Sequence, residues 1–202
     1  MLSGNPGLVA QQESINHKPV IVEPPKQLVV EPVAVFDFQS LYPSIMIAQN
    51  VCPTTCLGRI DKPISGSEQP IGFSKNNISF QRFRDEDLVV TYNGVAFVKP
   101  SVVKGVLPKI LEEYLYTRVN IKNSMKILGS RYRQVLEDQQ NSLKLFMNTT
   151  FGYTGAGFTG KMPMIELADS VVSTARQILL QSISVIQSMS PQFTVIYGDT
   201  DS

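Results

Sequence analysis

Two long amphipathic stretches parted by a glycine limit what this chain can fold into more than any other feature. From about Leu107 to Leu128, the residues Leu107, Leu111, Leu115 and Val119 recur at helical spacing. Pro108 falls in the opening turn, where a missing N–H is tolerated. From about Tyr132 to Thr150, Val135, Leu136, Leu143, Phe146 and Met147 mark a second stripe. Gly129 supplies the stop between them, so the two helices are expected to fold back as an antiparallel hairpin.

The rest of the chain mixes short β-type runs with shorter helical ones. With 202 residues and 43% hydrophobic content, a real core is expected, in one large domain or two small ones. Residues 1–32 carry Pro6, Pro19, Pro24, Pro25 and Pro32 and read as a linker or extended arm. Val33–Phe36 is a buried-type strand ending at Asp37, and Tyr42-Pro43-Ser44 opens a helix reaching Asn50. Residues 61–87 turn polar and predict a surface excursion. Leu88–Val98 predicts a hairpin turning at Asn93-Gly94. Gly152, Gly155, Gly157 and Gly160 punctuate the chain before a helix from about Glu166 to Gln187, with Ala168, Val171, Val172, Ala175, Leu179 and Ile186 inward.

The charge balance bears on partners. A net charge of +1 gives no global positive field, so any phosphate binding must be local. Cys52 and Cys56 are too few for a four-ligand zinc site and read as buried free thiols. No apolar h-region follows the N-terminus, which suggests a reducing intracellular compartment. No apolar run approaches the roughly 20 residues that span a bilayer, so no membrane association is expected.

The chemistry concentrates at the far end, in Tyr197-Gly198-Asp199-Thr200-Asp201-Ser202, behind the β-rich run Phe193–Tyr197. Side chains two apart on a strand share a face, so Asp199 and Asp201 converge. Converging carboxylates repel, and a divalent cation held by hard oxygens relieves this. The same hexapeptide also suits a solvated turn. Asp37 is a third carboxylate at a strand end, although a helix cap or turn acid would look the same. If the strands are neighbours, the three acids make a site for two Mg²⁺ ions and predict phosphoryl transfer.

The helical hairpin carries the opposite charge. Arg118 and Lys122 are i, i+4 neighbours, as are Lys144 and Asn148, with Gln140 one turn earlier on the same line. Each of these alone fits a solvated helix face. Facing the acids together, they would grip a triphosphate. Tyr42, at a helix start shortly after Asp37, suits contact with a sugar or a place in the core. Phe151-Gly152 suits the floor under a base pair, or ordinary packing.

Three segments, in this order, resemble motifs A, B and C of the family B DNA polymerases. They are Asp37-Phe38-Gln39-Ser40-Leu41-Tyr42-Pro43-Ser44-Ile45, Lys144-Leu145-Phe146-Met147-Asn148-Thr149-Thr150-Phe151-Gly152 and the terminal Tyr197–Ser202. The resemblance covers about residues 33–202 and implies an α/β fold of the α+β type. It would be a polymerase palm with an antiparallel sheet and an inserted two-helix fingers region. The implied division is an arm over 1–32, a first palm part over 33–100, fingers over 101–150 and a second palm part over 151–202.

By that resemblance, Asp37 and Asp201 would bind both Mg²⁺ ions with help from the Phe38 carbonyl, and Asp199 would support the site. Arg118, Lys122, Lys144 and Asn148 would contact the triphosphate of a dNTP, with backbone amides around Ser40 and Leu41. Tyr42 would be the steric gate against a ribose 2′-OH. Phe151 stands where the family often has Tyr, so a hydroxyl contact to the nascent pair is absent. The implied activity is DNA-directed DNA synthesis on primer-template DNA in the nucleus, with accessory subunits binding outside this chain. The alternative is a polymerase-fold nucleic-acid scaffold without catalysis.

Details within the family favour a translesion branch. They are Asn50-Val51-Cys52-Pro53-Thr54-Thr55-Cys56-Leu57-Gly58, Gly94–Val102, and Phe151-Gly152-Tyr153-Thr154 followed by Phe158–Pro163. A replicative branch shares the run Gly105–Leu111 and Thr154-Gly155-Ala156, but typically has Tyr-Gly-Phe in place of Phe-Gly-Tyr. Residues 1–202 expressed alone are expected to show no measurable primer extension, since a primer-binding motif and a thumb should follow.

Overall fold

The computed structural model describes residues 18–60, 83–127, 130–156 and 164–200. Helix α1, Leu41–Ala48, sits at the centre and packs on three longer helices, α2 (Val106–Ile127), α3 (Ser130–Gly155) and α4 (Ile165–Met189). One sheet has the order β2 (Cys56–Arg59), β4 (Val95–Val98), β3 (Leu88–Val90), all neighbours antiparallel. A second, two-stranded ladder pairs β1 (Ile21–Val22) with β5 (Gly198–Asp199). The architecture is therefore mixed α/β with antiparallel sheets, as the sequence predicts.

The core joins these elements. Leu41, Ile45 and Met46 of α1 meet Leu111 of α2, Met147 of α3 and Leu167, Val171 and Ala175 of α4, while Val95 and Phe97 enter from the sheet. A smaller cluster, Leu57, Ala96 and Val98, lies under Leu88. In α4 every residue from Leu167 to Ala175 is buried, polar ones included, so this segment is enclosed on all sides. The expected inward positions Ala168, Val171, Val172, Ala175 and Leu179 are buried, and Ile186 is half-buried.

The β3–β4 hairpin has the expected turn: Gly94 takes φ 79° and donates its N–H to Thr91 O at 2.9 Å. Its third partner, β2, was not anticipated. Helices α2 and α3 match the two amphipathic stretches and pack on each other, and Gly129 between them lies outside the described residues. Of the surface excursion at 61–87, only 83–87 is described, with a 3-10 turn at Asp85–Asp87. Cys52 and Cys56 are free and buried, as expected.

Three local expectations need correction. Val33–Phe36 is not a strand: it pairs with none of the described strands, and Val33, Val35 and Phe36 are exposed. A β-type sequence makes a strand only where a neighbour satisfies its backbone. Likewise, the ladder near the end begins at Gly198 rather than within Phe193–Tyr197. Its partner is Ile21–Val22, inside the stretch that reads as a linker. Finally, Val135 and Phe146 of the second stripe are 56% and 49% exposed. Phe146 nevertheless meets Tyr114 of α2 edge-on at 4.9 Å, and the α2–α3 contact also buries the polar Arg118 and Gln140.

Candidate active site

A cavity of about 480 Å³ opens where the segment before α1, the hairpin of α2 and α3, and the end of β5 meet. Asp37, Phe38, Ser40, Leu41, Tyr42, Arg118, Lys122, Lys144, Asn148 and Phe151 line it, so most of the site residues expected from sequence come together here. Three cations in a chain of net charge +1 thus share one hollow. Gln39, Pro43 and Thr200 complete the wall. Sequence reasoning did not single out these three, although Thr200 lies between the two terminal acids.

The segment leading into α1 sets one side. Ser40, the residue before the helix, takes φ 54° and ψ 53°, a left-handed conformation uncommon outside glycine. Its hydroxyl makes no cap bond to the helix; it accepts a hydrogen bond from Arg118 Nη1 at 3.0 Å. Ser44 Oγ donates to Gln39 O at 3.2 Å and closes the turn from below. Pro43 falls among the first helical residues, where its missing N–H removes no intrahelical bond.

On the hairpin side, Arg118 is 6% exposed, while Lys122, Lys144 and Asn148 are exposed at the cavity mouth. Arg118 Nε donates to Gln140 Oε1 at 3.2 Å, so one guanidinium spans both helices and the α1 segment. Tyr42 and Phe151 meet across the floor with ring centroids 4.5 Å apart at 53°. Gly152 does not line the cavity, and a Cβ built on it would meet nothing within 4 Å. Its missing side chain answers no packing need within the described residues.

The acids are less completely placed. Asp37 lines the cavity and is exposed. Asp199 is half-buried on β5, outside the lining, and its Oδ1 accepts a hydrogen bond from Thr200 Oγ1 at 2.9 Å. Asp201 lies outside the described residues. Among the described residues, no group of three His, Cys, Asp or Glu side chains is gathered tightly enough to hold a metal. Thr200 has φ 57°, strained for a β-branched residue, and its N–H bonds to Val20 O at 3.1 Å. Carboxylate oxygens, as Asp37 and Asp199 carry, and a backbone carbonyl, as Phe38 offers, are of the donor chemistry that Mg²⁺ takes.

A buried polar hub that the sequence did not reveal fixes the start of the hairpin. Asn50 Nδ2 donates to Val98 O and Val103 O, each at 2.7 Å. Its Oδ1 accepts from Gly105 N at 2.8 Å. The hub thereby ties the end of α1 to the sheet and to the first residues before α2.

The mixed α/β fold with its helical hairpin is that of a polymerase family, and the chain belongs to DNA polymerase family B, which residues 9–202 match. It is similar to the DNA polymerase zeta catalytic subunit of Schizosaccharomyces pombe, 43% identical over 96% of this chain and 13% of that protein. The human zeta catalytic subunit is 45% identical over 91% of this chain and 6% of that protein. The delta catalytic subunit of Bos taurus is 36% identical over 90% of this chain and 16% of that protein. Among solved structures, the family B DNA polymerase from the hyperthermophilic archaeon Pyrobaculum calidifontis superposes with a TM-score of 0.65 at 29% identity. That match covers 98% of this chain and 23% of the archaeal one.

Proposed function

We propose that this chain is the catalytic palm and fingers portion of a DNA-directed DNA polymerase. The single observation that carries this reading is the cavity, where Asp37 faces the same space as Arg118, Lys122 and Lys144. An acid and three cations around one hollow suit a substrate that brings both metal ions and a triphosphate.

In this reading Asp37, Asp199 and Asp201, with the Phe38 carbonyl, hold two Mg²⁺ ions. When bound, the ions ease deprotonation of a primer 3′-OH and neutralise charge on the departing pyrophosphate. Arg118, Lys122, Lys144 and Asn148 orient the triphosphate of the incoming dNTP, and backbone amides at Ser40 and Leu41 hold its phosphates from the palm side. Positioning brings the primer 3′-oxygen in line with the α-phosphorus; the new P–O bond forms as the bond to pyrophosphate breaks. Tyr42 stacks under the deoxyribose and excludes a 2′-OH by shape. Phe151 and Gly152 lie under the nascent pair, Phe151 without the hydroxyl a tyrosine would add.

The zeta-type branch is favoured within the family. The zeta catalytic subunits are 39–45% identical to this chain, against 36% for delta. That likeness supports translesion synthesis in the nucleus, on primer-template DNA and with accessory subunits bound elsewhere, as the reading of the whole protein. No helix among the described residues is long and apolar enough to cross a membrane.

The test uses the full-length protein with primer-template, dNTPs and Mg²⁺, compared with its Asp201→Ala variant. The native protein should extend the primer and the variant should not. Equal extension by both leaves a nucleic-acid scaffold as the better reading. Extension from a mismatched primer end separates the translesion branch from the replicative one.

A further inference from the structure

Arg118 is buried, and among the described residues no carboxylate pairs with it. That is unusual, because a buried guanidinium ordinarily takes a carboxylate partner. Its two described partners are neutral acceptors, Gln140 Oε1 and Ser40 Oγ. Neutral acceptors fix the position of the guanidinium without cancelling its charge.

Gln140 is itself 5% exposed, and its amide is oriented from behind. Nε2 donates to Glu137 Oε1 at 2.8 Å and to Asn141 Oδ1 at 2.7 Å. Flipping the amide would set its oxygen against two acceptors and its NH₂ against the Arg118 N–H, so both ends enforce one orientation. A carboxylate on α3 therefore steers Arg118 through an amide, one residue removed from direct contact. A direct carboxylate would neutralise the cation that faces the cavity.

We propose that Gln140 is a positioning residue for nucleotide binding: it presets Arg118 toward the cavity and keeps its positive charge available to an anionic triphosphate. The proposal rests on the polymerase reading of the cavity and adds a residue that does not itself line it.

The test measures single-nucleotide incorporation by the full-length protein, together with dNTP affinity on a dideoxy-terminated primer, where no chemistry occurs. Gln140→Glu keeps the shape and the acceptor but places a charge on Arg118. KM and Kd for dNTP should rise about tenfold or more, the scale of one charged hydrogen bond, while kcat stays within about threefold. In an Arg118→Ala background the same substitution should leave KM and Kd unchanged. A purely structural role for Gln140 would cost the same in both backgrounds, and that result overturns the proposal. Unchanged affinity in Gln140→Glu alone overturns it too. If Gln140→Glu does not fold, Gln140→Met, which removes the acceptor at similar volume, is held to the same two comparisons. A native protein that binds no dNTP sinks the polymerase reading and the proposal together. Native binding with an indifferent Gln140 variant sinks the proposal alone.

Discussion

Asn50 Oδ1 accepts the backbone N–H of Gly105 at 2.8 Å, joining the second residue past α1 to the residue that precedes α2. Both ends of the contact are tight. Asn50 takes φ 57°, which asparagine tolerates better than most residues, and its amide satisfies two further carbonyls, Val98 O and Val103 O. A Cβ on Gly105 would lie 2.7 Å from Cys52 Cβ, an atom too close to the backbone to swing away. Asn50→Ala leaves buried polar groups unpaired and should destabilise the protein by about 2–4 kcal/mol. Gly105→Ala should cost about 1–3 kcal/mol by overpacking. Denaturant melts of the full-length variants check both, and a Gly105→Ala protein as stable as the native one would contradict the steric argument.

Tyr42 meets Phe151 at a centroid distance of 4.5 Å, so the ring proposed as the steric gate is braced by a second aromatic. Rejection by shape needs the ring and not the hydroxyl. Tyr42→Phe should therefore keep most of the discrimination between dNTP and rNTP, and Tyr42→Ala should lose roughly a hundredfold of it, about 2–3 kcal/mol of steric exclusion. The ratio of kcat/KM for the two nucleotides measures this. A Tyr42→Phe enzyme as permissive as Tyr42→Ala would show that the hydroxyl, rather than the ring, does the excluding.

The Cys56 thiol is pushed up to about 12 from 9.0, chiefly by burial, against a lowering hydrogen bond from the Gly58 backbone. Between those values the unfolded chain loses the proton while the folded one keeps it, so the folded state binds more protons. Stability should then be unaffected below about pH 9 and fall as pH rises toward 12, by up to about 1.4 kcal/mol per pH unit from this group. Cys56→Ala should flatten that part of the profile in melts taken from pH 8 to 11. At neutral pH the native thiol should also resist alkylation, because almost none of it is thiolate. Rapid labelling of Cys56 without denaturant would contradict its burial.

Much of this was legible from spacing alone. Helices α2, α3 and α4 follow apolar periodicity, and the β3–β4 turn follows Asn93-Gly94. Lys122, Lys144 and Asn148 reach one cavity because their helices do, and Asp37 reaches it from the segment before α1. What spacing does not carry is partnership. Val33–Phe36 has a strand's composition and no ladder among the described residues. Val135 fits the α3 stripe and is exposed, while the α2–α3 contact encloses Arg118 and Gln140, a polar pair that a hydrophobic pattern cannot register. Asn50 reads as the last residue of a helix, yet the helix ends at Ala48 and the Asn50 amide reaches three distant partners.

The pairing of β1 with β5 gives the arm a measurable role. Thr200 N bonds to Val20 O, which makes Val20 and Thr200 a hydrogen-bonded pair. Antiparallel alternation then makes Ile21 and Asp199 a non-bonded pair and Val22 with Gly198 the next bonded one. The backbone that carries Asp199 is therefore held on both sides of the acid by the arm. Val22→Pro removes a ladder N–H and should loosen Asp199 without touching Arg118, Lys122 or Lys144. In single-nucleotide incorporation by the full-length protein, kcat should fall about tenfold while the dNTP KM stays within about twofold, since the proposed role of Asp199 is to support the metal ions and not the triphosphate. Ile21→Ala, which keeps the backbone donors, should change kcat far less. A folded Val22→Pro enzyme with native kcat would mean that Asp199 is held by something other than this ladder.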